Sequence, residues 1–261
     1  MIFSRFAALA ASLALGTVLL GSCDKKEDPA AEPQKSVFSV ELENTVGNRS
    51  LHLDTDTYTT AAGDQFTIST FKYYLSNLEL LKADGSATVL PDTYFLVDQA
   101  KKESQQLQLT DVPTGDYTAL RFVVGVDSAR TKAGNLQGVL GDDNGMWWAW
   151  SKEFINVKLE GTSPQSPKGG LVFHIAGFKG ANGANNTIRT VTLPFPGGSK
   201  LLVRTDHTPE IHLQVDALKM FSGPTTIRFA TVNNSMGGPA SVQIADNIAA
   251  GMFSVEHLHA N

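Results

Sequence analysis

QFTISTFKYYLSNLELL, residues 65–81, is the stretch that decides the fold. Its apolar and polar residues alternate along much of its length, which is typical of a β-strand with one buried face. It is much longer than an ordinary strand of about 5–6 residues. The stretch therefore predicts one long or bent strand, or a strand followed by a turn.

Shorter alternating runs surround this stretch, and Gly, Asn, Asp and Pro separate them, which predicts many further strands. These runs are 36–43, a short strand from 51, 93–98, 106–109, 116–126, 153–161, 170–178, 187–195, 200–206 and 210–216. The strongly apolar run 116–126 is expected to be central. Residues 239–253 predict the one helix, with Pro239 near its start. We therefore predict an all-β fold, a two-sheet sandwich with Greek-key links and one C-terminal helix.

The start of the chain predicts export. Residues 1–22 combine Arg5 with a short run of apolar and small residues, as in a signal peptide. LLGSC, residues 19–23, resembles a bacterial lipobox, and Cys23 is the only cysteine of the chain. We therefore expect cleavage before Cys23 and a lipid on its thiol, which would anchor the protein to a membrane.

Residues 23–35 are charged and rich in Ala and Pro, which predicts a flexible tether before a folded domain at 36–261. Lys26, Glu27 and Asp28 resemble the charged export signal of surface lipoproteins in Bacteroidetes, and they equally suit a plain hydrophilic linker. The expected location is the outer membrane or the cell surface, with the periplasmic face left open.

Composition and motifs exclude two classes of function. The formal net charge is −5 and no basic stripe is present, so nucleic acid is not an expected partner. The sequence has no HExxH and no GxSxG motif. Because its only cysteine is assigned to the lipid, no Cys/His pair is available either. We therefore do not expect an enzyme.

The six histidines lack local metal-binding spacing, so any metal site must be assembled across strands. His174 lies in an apolar run, and its ring is expected to be partly buried and held by hydrogen bonds or by a metal. His257 and His259 would share one face if extended and could chelate a metal, or they belong to a solvated tail. His212 is expected to face solvent.

All three tryptophans occur within four positions, Trp147, Trp148 and Trp150, where a long polar loop at 127–147 ends. Long loops without their own structure are often functional. Core packing is one interpretation of the tryptophans, because buried indoles contribute large apolar areas. Binding of a ligand ring or a sugar is the other.

Several segments in combination resemble the MbnP-like family of periplasmic or surface copper-binding proteins, in the branch found as lipoproteins in Bacteroidetes. These segments are FKYYLSNLELLKADG (71–85), GVDSAR (125–130), NGMWWAWSKEFINVKLEGTSP (144–164), VFHIAGFKG (172–180) and MFSVEHLH (252–259). The resemblance implies a β-rich domain that holds one copper ion. It also implies that imidazoles and an oxidised tryptophan, kynurenine, contribute to the copper site, and that a di-haem protein related to cytochrome c peroxidases is the oxidising partner.

The family pattern assigns candidate site residues. Trp148 and Trp150 match its recurrent tryptophans, and His174 matches its Phe-His-Ile histidine. Asp127 stands where some members carry a histidine, so its carboxylate is a candidate metal ligand. His52 is a further candidate, because we expect its ring to point away from the core. The resemblance implies a lipid-anchored copper-binding protein for acquisition, delivery or homeostasis. The alternative is a metal-free module at the cell surface that binds a ligand or a partner.

Overall fold

Strands dominate the part of the chain that this computed structural model describes, residues 34–178 and 185–259. The strands are β1 (Lys35–Val46), β2 (Arg49–Ser50), β3 (Tyr58–Thr59), β4 (Gln65–Leu81), β5 (Ala87–Val89), β6 (Tyr94–Asp98), β7 (Gln106–Pro113), β8 (Gly115–Tyr117), β9 (Ala119–Val124), β10 (Trp147–Trp148), β11 (Glu153–Thr162), β12 (Gly170–Ala176), β13 (Arg189–Pro194), β14 (Leu201–Val203), β15 (Glu210–Asp216), β16 (Asn234–Met236) and β17 (Phe253–His259). The α-helices are α1 (Ser128–Ala133) and α2 (Gly238–Gly251). The predicted signal peptide and Cys23 lie outside the described residues.

The strands form a five-stranded sheet, a ten-stranded sheet and a small β8–β14 ribbon. The five-stranded sheet has the order β17-β15-β1-β2, with β7 also paired to β1. The ten-stranded sheet follows β13-β9-β4-β11-β12-β16, and β3, β5, β6 and β10 pair along it. The predicted all-β sandwich with a C-terminal helix is confirmed. No helix within residues 34–178 and 185–259 is long and apolar enough to cross a membrane.

β4 is one continuous strand with a bend. The prediction of one long or bent strand at residues 65–81 is therefore confirmed, and a strand followed by a turn is not observed. Asn77 has a left-handed backbone with φ of 50°. The pairing register with β9 shifts between Ser76 and Glu79, which marks a β-bulge at the same place. The bend lets a single strand pair with β11 along its first half and with β9 along its second.

Neighbouring residues of β4 fill two separate cores. Tyr73 lies in the main core, which both large sheets and α2 line, and its hydroxyl donates to Asn44 Oδ1 at 2.9 Å. Tyr74 points to the opposite face and donates to the carbonyl oxygen of Val139 at 2.9 Å. There it joins a second cluster, which consists of Tyr74, Val126, Leu140, Met146, Trp148, Phe154, Ile155 and Ala176. Apolar side chains of the segment after β9 therefore cover the face of β4 from which Tyr74 projects.

Two local expectations differ from the structure. The strand predicted from Leu51 is wrong, because β2 ends at Ser50 and residues 51–57 form an irregular turn. A left-handed Asp54, with φ of 63°, turns the chain there, and the Tyr58 hydroxyl accepts the backbone N–H of His52. The long loop at 127–147 is also more ordered than expected, since it contains α1 and two short 3₁₀ turns.

Gly161→Ala should destabilise the protein by about 1–3 kcal/mol, the usual cost of overpacking a core. A Cβ at Gly161 would overlap the backbone carbonyl of Thr67 in the neighbouring strand β4. Gly170→Ala is the matched control, because a Cβ there meets no atom within 4 Å. Urea unfolding measures both. Equal midpoints for the two variants would contradict the close approach of β11 to β4.

Candidate metal centre

His174 lies in a row of side chains that crosses the ten-stranded sheet. In β12 it is the register partner of Lys158 in β11 on one side and of Met236 in β16 on the other. Directly paired residues of adjacent strands project from the same face of a sheet. The neighbours Phe173 and Ile175 are fully buried in the main core, so His174 points to the opposite face. This register brings an imidazole and a thioether side by side.

A carboxylate determines which nitrogen of the His174 ring carries the hydrogen. Its Nε2 lies 2.7 Å from Glu160 Oε1, and Lys158 Nζ lies 3.4 Å from the same oxygen. Burial raises the pKa of Glu160, but the hydrogen bond from His174 and the charge of Lys158 outweigh it, so this pKa is lowered. The Glu160 carboxylate is therefore ionised at neutral pH and can only accept a hydrogen bond.

The ring of His174 is neutral and leaves one nitrogen unused. Burial lowers its pKa below the ordinary value of 6.5, and the charge of Lys158 lowers it further, against the raising effect of Glu160. Because Nε2 must carry the hydrogen that faces Glu160, Nδ1 carries the lone pair. Among the described residues, this buried Nδ1 has no hydrogen-bond partner. An imidazole that a carboxylate holds at one nitrogen, with the other free, is the usual state of a metal-binding histidine.

The tryptophans cover this histidine. Trp148 lies in β10, which pairs with the start of β11, and the second cluster buries it to 8% exposure. The Trp148 ring centroid lies 6.2 Å from that of His174. Trp150 packs on Trp148 with centroids 5.1 Å apart, yet it is 74% exposed. The structure therefore brings Trp148, Trp150 and His174 together.

A shallow pocket adjoins the two indoles. Its lining includes Trp148, Trp150, Asn185, Met236 and Gly237. Met236 lines this pocket and is 47% exposed. The pocket therefore adjoins Trp148 and Met236, which are both neighbours of His174.

Asp127 lies elsewhere and has a structural role. It is the N-cap of α1 and accepts from the backbone N–H of Arg130 at 2.9 Å. Its other oxygen accepts from the Tyr94 hydroxyl at 2.6 Å and from the Asn77 side chain at 3.3 Å. Burial raises its pKa, but these hydrogen bonds outweigh that effect and the pKa is lowered. With its oxygens engaged, Asp127 is better explained as a cap than as a ligand.

His52 is also separate from His174. Its Nδ1 lies 3.2 Å from Asp56 Oδ2, and Arg49 binds the same oxygen at 2.7 Å. The ring is largely exposed and lines a pocket on the five-stranded sheet with Glu41 and His212. The structure thus groups His52 with His212 and not with the tryptophans.

Two residues of the centre were not predicted from the sequence, namely Glu160 and Met236. Glu160 belongs to the strand that follows the tryptophans, and no local spacing links it to His174. Met236 follows a long irregular stretch and forms a short parallel strand. Only the pairing of β11, β12 and β16 brings the three residues together.

The comparisons with known proteins point to one family. The sequence profile of the MbnP family matches residues 35–238. Among solved structures, the fold is similar to that of MbnP from Methylosinus trichosporium, with a TM-score of 0.55 and 14% sequence identity over 87% of this chain and 100% of that one. No curated protein sequence matches this chain.

Glu160→Gln should lower the pKa of His174 further. The hydrogen bond and the charge of Glu160 both raise that pKa, so their removal leaves burial and Lys158 to act alone. The measurement is an NMR titration of the His174 ring in metal-free protein. Glu79→Gln, on the same sheet and paired with Arg121, is the control and should leave the His174 pKa unchanged. A raised pKa in Glu160→Gln would contradict the stabilising effect of Glu160 on the protonated ring.

Proposed function

Because this chain belongs to the MbnP family, we propose that it is a lipid-anchored, extracytoplasmic copper-binding protein that serves copper acquisition, delivery or homeostasis and catalyses no reaction. The observation that carries the proposal is the buried Nδ1 of His174, which is neutral and has no described hydrogen-bond partner. A buried polar atom that makes no hydrogen bond costs about 1–3 kcal/mol. A metal ion at Nδ1 would remove that cost.

The donor set suits copper. Imidazole nitrogen is a good copper ligand, and thioether sulfur selects the cuprous ion. Met236 supplies a thioether at the position paired with His174, and no rearrangement of the sheet is needed to bring it there. Glu160 would hold the far nitrogen of the ring and so fix its orientation, which typically contributes 10–100-fold in metal affinity.

The tryptophans add a route to further donors. Trp148 packs beside His174, and Trp150 offers an exposed indole in contact with Trp148. Oxidation of either residue to kynurenine would supply an aryl amine and a ketone, which are nitrogen and oxygen donors for copper. A di-haem protein related to cytochrome c peroxidases is the expected oxidant. The exposure of Trp150 supports electron transfer to such a partner, because the indole lies at the surface.

The proposed location follows from Cys23. A lipid on this residue would hold the domain at the outer membrane or the cell surface, with residues 23–35 as the tether. An anchored site of this kind would take up copper outside the cytoplasm. His52 and Asp127 are not needed in this proposal, since both have other partners.

His174→Ala should remove one copper ion per chain from protein isolated from its native host. The variant loses the imidazole, and the donors that remain are expected to be insufficient to retain the ion through dialysis. Elemental analysis measures the ratio of copper to polypeptide. His52→Ala is the matched control and should keep the wild-type ratio. The proposal fails if the wild type holds no copper in copper-replete cells, or if His174→Ala holds as much as the wild type.

A metal-free binding module at the cell surface is the second candidate function. The exposure of Trp150 and Met236 in one pocket favours it, because large apolar side chains in a shared depression often contact a ligand or partner. This alternative expects Trp148→Phe to weaken cross-linking to a partner in the native host while metal content stays unchanged. Loss of copper in Trp148→Phe would count against the alternative and for the copper site.

A further inference from the structure

Three histidines form a second group of metal donors on the five-stranded sheet. His212 in β15 is the register partner of His257 in β17, and His259 lies two residues further along β17. The neighbours Ile211 and Leu213 are fully buried, so His212 points away from the core. His257 and His259 are exposed, and both project from the same outer face.

A β-bulge gathers these side chains. The register between β15 and β17 shifts between His212 and Leu213, so that Glu256 is the extra residue of β17. Two consecutive residues of a bulged strand face a single residue on the partner strand. Glu256 and His257 therefore both approach His212, and the candidate ligand atoms of these three residues all lie within 4.8 Å of one another.

The distances suit a chelate. The rings of His212 and His257 are stacked with centroids 4.7 Å apart, and His257 Nε2 lies 2.6 Å from His259 Nε2. Two nitrogens bound to one ion at about 2.0–2.1 Å are separated by about 2.9–3.3 Å, depending on the coordination angle. A small rotation of either ring therefore converts the hydrogen-bonded pair into a pair of ligands.

Carboxylates complete the group. Glu256 Oε2 lies 3.0 Å from His212 Nδ1, and Glu41 Oε2 lies 3.1 Å from His212 Nε2 on the other side of the ring. Glu41 is the residue of β1 that pairs with His212. If an ion binds on the Nδ1 side, Glu41 holds the remaining N–H, as a carboxylate does behind many metal-binding histidines.

We propose that His212, His257 and His259, with Glu256, bind a divalent transition-metal ion, and that Cu²⁺ binds more tightly than Ni²⁺ or Zn²⁺. Imidazole nitrogens suit all three ions, and the general order of affinity places Cu²⁺ first. The site has no sulfur donor, which separates its chemistry from that of the His174 centre. It does not depend on the proposed function, because it shares no residue with the His174 centre.

The test is a titration of the full, metal-free chain in detergent with Cu²⁺ alone, followed by EPR spectroscopy. The wild type should show hyperfine coupling to imidazole nitrogens. The double variant His257→Gln/His259→Gln should bind this ion at least about 100-fold more weakly, since even residues behind a ligand contribute 10–100-fold. Glu41→Gln should weaken binding by about 10-fold without removing the nitrogen coupling, as expected of a positioning residue.

Two further variants separate this site from its alternatives. His207→Gln removes an imidazole whose described partner is Asp206, and it should bind Cu²⁺ as the wild type does. His174→Ala should keep this ion even if it loses the copper of the His174 centre, so the two proposals can fail separately. Equal Cu²⁺ affinity in the double variant and the wild type would overturn the inference, as would the absence of nitrogen coupling in the wild type. If the double variant misfolds, the spectrum of His174→Ala decides, because this variant lacks the imidazole of the other centre and should still show nitrogen coupling.

Discussion

The burial of β4 on both faces is the constraint on which the rest of the structure depends. A strand in this position needs an apolar cover on each side, and each buried hydroxyl on it needs an acceptor. Tyr73 meets these needs through the main core and Asn44, and Tyr74 meets them through the second cluster and Val139. Because successive residues alternate between faces, a slip of one position would exchange the two environments. The two tyrosines thus fix both the register of the strand and the place of each cover.

The cover on the Tyr74 side explains why the tryptophans are grouped. The segment that follows β9 must supply large apolar side chains over a wide area, and Met146 and Trp148 do so. The same segment then pairs with β11 and places Trp148 against the ring of His174. Trp150 lies outside the cluster, packed on Trp148 and exposed to solvent. One packing requirement therefore also creates the environment of the candidate centre.

Features that depend on local pattern could be predicted, and features that depend on register could not. The bent strand at 65–81, the late helix and the partial burial of His174 follow from alternation and from the residues nearby. The contact of His174 with Glu160 and its pairing with Met236 require the order of β11, β12 and β16, one pair of which is parallel. The strand expected from Leu51 failed because a left-handed Asp54 turns the chain, and a short apolar–polar alternation does not reveal that conformation.

The two groups of metal donors differ in their donor atoms and in their exposure to water. The His174 centre offers one imidazole and a thioether beside the buried edge of an indole, where a soft, weakly hydrated ion is favoured. The histidines of β17 lie on the strand that ends the order of the five-stranded sheet, in contact with water and carboxylates. The bulge at Glu256 has two consequences at this position. It directs His257 and Glu256 toward His212, and it disrupts the regular edge that another strand would need for pairing. A device that protects an exposed edge against aggregation thereby also assembles the ligands of a divalent ion.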